Sequence, residues 1–107
     1  RPQENGARTD VSHAAVTAAN GTGLVMDALA PLTATALENI PSDLDFGMVK
    51  HQVHTNDIYP SRDHNYFYID LFQRGLGGDT SWGTHPHDPY RYYAKPYSLS
   101  FLLSPAK

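Results

Sequence analysis

Glycine and proline punctuate this chain from one end to the other, and that spacing restricts what it can fold into. Eight of each fall within 107 residues. Proline removes a backbone donor and fixes φ, and glycine weakens helix and strand interiors alike. The pattern predicts short elements joined by many turns and argues against long helices. A chain of this length supports one domain at most. Folding at this size takes roughly 60–70 % of the unfolded chain's surface out of water, so the expected core is modest. The hydrophobic fraction of 40 % suffices for such a core and lies far above that of a disordered tail.

Charge and hydropathy remove several function classes. Formal net charge is −3 and Lys and Arg form no run, so the basic stripe of a nucleic-acid binder is missing. No apolar stretch approaches the roughly 20 residues of a membrane-spanning helix, so no membrane partner is expected. The absence of cysteine excludes disulfides and thiolate metal sites and leaves the compartment open. The opening Arg1-Pro2-Gln3-Glu4-Asn5-Gly6 lacks a Met and does not read as a signal peptide, so it is expected to come from the middle of something longer. The closing Ser104-Pro105-Ala106-Lys107 has the look of a tail. The expectation is an excised fragment or a bare carboxy-terminal domain spanning residues 1–107.

Alternation and turn residues then predict the elements. Val11 to Ala19 and Leu24 to Leu29 read as strands joined through Asn20-Gly21, the pair that a type I′ hairpin turn selects because both central residues need positive φ. Ala30-Pro31 breaks the pattern, Leu32 to Leu37 gives another short strand, and Pro41 stops it. A one- or two-turn helix follows, with Ser42 as cap, Asp43 in the first turn and Asp45 completing a near capping box. Leu44 with Met48, and Val49 with Val53, would share faces of it. Gly47 weakens it. His51 to Arg62 is a polar connection. Tyr66 to Phe72 is the clearest strand, with Phe67, Ile69 and Leu71 on one face. Arg74 to Tyr92 shows no period, and so long a connection points to a functional loop. Tyr97 to Leu103 closes the chain as a strand with Tyr97, Leu99, Phe101 and Leu103 on one face. The sum is an all-β pattern with one short helix. Its five or six strands fill half a sandwich and leave an apolar sheet face for further strands of a parent protein or of a symmetry mate.

The richest segment chemically is Gly75-Leu76-Gly77-Gly78-Asp79-Thr80-Ser81-Trp82-Gly83. Its glycines allow positive φ or close backbone approach, and Asp79 is suited to lock the turn by accepting hydrogen bonds. Two roles fit Trp82 equally from sequence. It is either a platform for the apolar face of a sugar ring, with its N–H free for a hydroxyl, or a core anchor that folds back. Gly75-Leu76-Gly77-Gly78 is no dinucleotide fingerprint, because no helix follows it. His85-Pro86-His87-Asp88-Pro89 concentrates imidazole and carboxylate groups, yet a catalytic zinc needs three well-placed ligands and two prolines stiffen the turn against convergence. Ordinary loop histidines are the expectation there, and for His51 and His54. Hydrolysis of a glycoside needs two carboxylates about 5–9.5 Å apart. Glu4, Glu38, Asp43, Asp45, Asp57, Asp63, Asp70, Asp79 and Asp88 offer no obvious pair. The chain is therefore not expected to be a complete enzyme.

Two segments carry a family resemblance. Pro2-Gln3-Glu4-Asn5-Gly6 followed by Arg8 resembles the P-Q/S-E-N-G-x-R segment in the last domain of β-galactosidases of glycoside hydrolase family 2. Gly75 to Gly83 resembles the same family's G-x-G-G-D-x-S-W segment. Their separation, the strand before the second segment and the final Leu102-Leu103-Ser104-Pro105 agree as well. The resemblance implies a piece of a large supersandwich-type β-sandwich, with the two catalytic glutamates of a retaining β-galactosidase on a (β/α)₈ barrel outside this segment. It further implies that Trp82 is a sugar platform on the leaving-group side, with Gly77, Gly78 and Asp79 shaping its loop. Magnesium and sodium sites of the family lie in other domains, so no metal or other cofactor is expected here. The implied partners are the remaining domains of the parent and a galactoside, and a homo-oligomer is compatible with this reading. His85 to Pro96 has no residue-by-residue match, which leaves His85 and His87 open. Two other readings remain: a freestanding carbohydrate-binding sandwich using Trp82 and nearby tyrosines, and a purely structural sandwich.

Overall fold

The computed structural model describes residues 6–44, 48, 57–58, 63–75, 77–80 and 82–107. Its elements are β1 (Arg8–Thr17), β2 (Gly23–Leu37), the helix α1 (Pro41–Leu44), β3 (Tyr66–Asp70), a 3₁₀ turn (Asp88–Tyr90) and β4 (Phe101–Ala106). All four strands form one antiparallel sheet. The described residues are thus all-β with one short helix, consistent with a fragment of a β-sandwich.

Every other strand pairs with β2. Strand β1 lies along one edge of it, from Arg8 opposite Ala34 to Thr17 opposite Gly23. The other edge is shared end to end. β4 covers the first half, Gly23 to Ala28, and β3 covers the second, Thr33 to Leu37. Between the two shares lies the Ala30-Pro31 break expected from sequence. It does not end the strand: β2 runs unbroken for 15 residues. Along β1 the register jumps there, with Val11 opposite Leu32 and His13 opposite Asp27. Only Ser12 on β1 faces the span Ala28 to Pro31 on β2. Proline lacks a ladder donor, so a bulge between partners is a position where it costs no hydrogen bond. Leu29 stands 82 % exposed in that bulge. A second irregularity, between Arg8 and Val11, coincides with Asp10 at φ 57°.

The β1–β2 hairpin turns where expected but by a different geometry. Gly21 N–H donates to the Ala18 carbonyl at 2.9 Å and Ala18 N–H to the Thr22 carbonyl at 2.8 Å. Gly21 has φ 84°, whereas Asn20 is not in the positive-φ region. This is a three-residue loop with a single left-handed glycine, not a type I′ turn. The Asn20 side-chain oxygen accepts from Thr22 N–H at 3.0 Å and from the Thr22 hydroxyl at 2.7 Å, a local bond that favours this form.

Other boundaries move: β1 runs from Arg8 to Thr17 and not from Val11 to Ala19, and β3 ends at Asp70 and not at Phe72. The helix is a single turn that begins at Pro41 itself, and Ile40 N–H donates to the Asp43 carboxylate at 3.0 Å. Proline suits that first helical position because its missing N–H would have no partner there. Met48 lies beyond the helix and is 96 % exposed, so it does not share a face with buried Leu44. The expectations for Asp45, Gly47, Val49, His51, Val53 and His54 lie outside the described residues, as does the segment 1–5. The last strand starts at Phe101, not Tyr97, and runs to Ala106. Upstream, the Tyr97 hydroxyl donates to the Tyr93 carbonyl at 2.8 Å, which commits it to the preceding loop. Pro105 is accommodated because, among the described strands, β4 pairs with β2 alone.

The core is small. Met26, Leu32 and Ala34 of β2 are buried, and Val11, Ala14, Ala28, Phe67, Ile69, Leu71 and Phe101 pack on them. The face expected for β3 is thus the one that packs inward. Met26→Ala is expected to destabilise the fold by about 2–5 kcal/mol, whereas exposed Leu29→Ala stays within about 0.5 kcal/mol. Urea denaturation of the two variants checks the contrast, and equal losses would contradict this assignment of the core.

Candidate functional site

The pairing scheme has a consequence for the long loop. β3 ends with Asp70 opposite Thr33, and β4 begins with Phe101 opposite Ala28. Residues 71–100 therefore leave the sheet and return to it on either side of one short stretch of β2. Their base is closed by aromatic rings. Phe72 stacks on Tyr92 with centroids 3.6 Å apart and planes at 10°. Tyr97 meets Phe72 edge-on at 5.0 Å, and Lys95 Nζ lies 5.3 Å from the Tyr97 centroid. The first pair is face to face, whereas the edge-on contact of Tyr97 has the geometry that aromatic pairs favour.

Inside that base the loop is cross-braced. Arg74 donates from Nη2 to His85 Nδ1 at 2.7 Å. The His87 Nε2–H donates to Asp79 Oδ1 at 2.8 Å, and the Thr80 and Thr84 hydroxyls lie 2.6 Å apart. Gly78 presses its backbone on the opposite limb: a Cβ there would sit 2.5 Å from the Thr84 carbonyl oxygen and 3.0 Å from that of His85. The outgoing limb is folded around Asp88. Arg91 Nη1 lies 3.1 Å from its carboxylate, the Tyr93 hydroxyl donates to it at 3.1 Å, and Arg91 Nε donates to the carbonyl of buried Pro86 at 2.6 Å.

Trp82 occupies the far end, between Thr80 and Thr84, and is 82 % exposed. The alternative of an indole folded back as a core anchor is not what the structure shows. Asp79 does brace the loop, through an imidazole and not through the backbone N–H groups expected from sequence. Gly78 has a steric reason to be glycine. Gly77 has open space around it, and nothing in the structure explains a glycine there. Sequence reading missed His87 as the partner of Asp79, Arg74 as the partner of His85, and the Phe72–Tyr92–Tyr97 base. The two imidazoles go to separate partners, and among the described residues no three His, Asp or Glu side chains converge as metal ligands would.

A single antiparallel sheet carrying one long, internally braced loop with an exposed indole is consistent with a fragment of a β-sandwich. The chain belongs to the β-galactosidase small chain family, whose model matches residues 1–103. It is 32 % identical over 106 residues to a β-galactosidase of Priestia megaterium, covering 98 % of this chain and 10 % of that protein. It is 30 % identical over 103 residues to the β-galactosidase BgaC of Bifidobacterium adolescentis, covering 95 % of this chain and 10 % of that protein. The chain thus spans about a tenth of the length of these curated relatives. No solved structure matches it.

The steric role of Gly78 is open to a direct check. Gly78→Ala is expected to push the Thr84–His85 backbone away and to cost about 1–3 kcal/mol locally. Amide shifts of Thr84 and His85 should move while those of β1 and β2 stay in place.

Proposed function

We propose that this chain is a segment of a β-galactosidase of glycoside hydrolase family 2. The whole protein hydrolyses terminal β-D-galactosyl residues. This segment supplies no catalytic carboxylate and contributes Trp82 as a sugar platform. The observation that carries the reading is the placement of Trp82, four-fifths exposed at the tip of a loop that is braced along its length. A flat indole held out in this way can cover the C–H face of a hexose while its N–H meets a hydroxyl. The two loop carboxylates, Asp79 and Asp88, both serve as braces, which leaves them poorly suited to act as a general acid and a nucleophile. The glutamates that break the glycosidic bond, and any magnesium or sodium ion, would belong to the rest of the parent polypeptide. The small core and the exposed Leu102 and Leu103 of β4 suit a sheet that is completed by those other parts of the chain.

In the full-length enzyme, Trp82→Ala is expected to lower kcat/KM for lactose about ten- to a hundred-fold, equivalent to about 1.4–2.8 kcal/mol, with the fold intact. Unchanged kinetics would remove the platform role. The segment alone, rigorously purified, is expected not to hydrolyse a chromogenic galactoside. Turnover by it would place the catalytic carboxylates within these 107 residues.

A further inference from the structure

Trp82 poses a positioning problem. An indole that is 82 % exposed has little packing of its own to hold it, so its direction is set by the backbone that carries it. That backbone is closed at successive levels. The Thr80–Thr84 hydroxyl contact encloses Trp82 directly, and the Asp79–His87 hydrogen bond encloses that contact in turn. The backbone of Gly78 lies against Thr84 and His85 just below.

We propose that the Asp79–His87 pair is a positioning latch for Trp82, with His87 holding the two limbs of the tip so that the indole meets a galactoside in one orientation. This deepens the platform reading and rests on it. The carboxylate can only accept, so the shared proton sits on His87 Nε2 and the imidazole spans the limbs as a donor. Both side chains are largely exposed, 63 % for His87 and 76 % for Asp79. An exposed pair adds little to global stability. Its effect is therefore concentrated on the conformation of the tip, and a tip held in one conformation binds without the cost of ordering it.

The test is a kinetic cycle in the full-length enzyme with lactose, together with thermal unfolding. His87→Ala and Asp79→Ala are each expected to raise KM about three- to ten-fold with kcat changed less than about two-fold, and with Tm within about 2 °C of the parent. Asp79→Asn keeps an acceptor oxygen for the imidazole and should recover most of the loss. In a Trp82→Ala background, His87→Ala should add less than about two-fold, because the latch acts through the indole. If Trp82→Ala raises KM while neither latch variant does, or if the latch variants cost as much without Trp82 as with it, the latch is refuted and the platform stands. If Trp82→Ala itself leaves both kcat and KM unchanged, the platform reading fails and takes the latch with it.

Discussion

The backbone ladder of β2 is the interaction on which the remaining structure depends. β1, β3 and β4 all draw their inter-strand hydrogen bonds from it, and β3 and β4 divide one of its edges between them. Its side chains also supply Met26, Leu32 and Ala34, the buried centre of the core. A strand with three partners cannot slip by one residue, since the slip would turn Met26 outward and re-pair three ladders together. Short, punctuated elements that would be marginal alone are thus fixed by a common neighbour.

Much of this was legible in the sequence, and the failures have local causes. Alternation in Tyr66 to Phe72 identified β3 and the face that packs on the core, because successive strand side chains point to opposite faces, although all five residues of β3 are half-buried. Asn20-Gly21 located the hairpin but not its geometry, since the Asn20 side chain bonds forward to Thr22 and leaves only Gly21 left-handed. Ala30-Pro31 reads as a stop because proline usually is one. Here it falls where β2 passes from β4 to β3 and no ladder bond is lost. The start of the last strand was misplaced by the alternating Tyr97 and Leu99. Both alternate as strand residues would, but the ladder with β2 begins at Phe101, preceded only by a long bond of 3.4 Å from Leu29 N–H to the Ser100 carbonyl.

The placement of Trp82 was legible only as one of two alternatives, and the supports of its loop were not legible at all. A tryptophan among glycines and polar residues signals exposure or close approach, and the structure resolves that in favour of exposure. The braces could not be read. Arg74 with His85, Asp79 with His87 and Phe72 with Tyr92 are separated by intervals that follow no helix or strand period. In irregular backbone, side-chain proximity is decided by the path of the loop, which composition does not encode. The histidines expected to be ordinary loop residues are the parts that join one limb to the other.

The loop leaves and re-enters the sheet beside the same bend of β2, and an aromatic stack seals its neck. A segment attached at a single point behaves as a module. Residues gained or lost beyond the neck do not shift the alignment of any strand, and the entropic cost of enclosing a few more rises only as the logarithm of length. The reach of this arm is thereby free to vary while the scaffold around β2 is kept, and Phe72 and Tyr97 mark the points at which one arm could be exchanged for another.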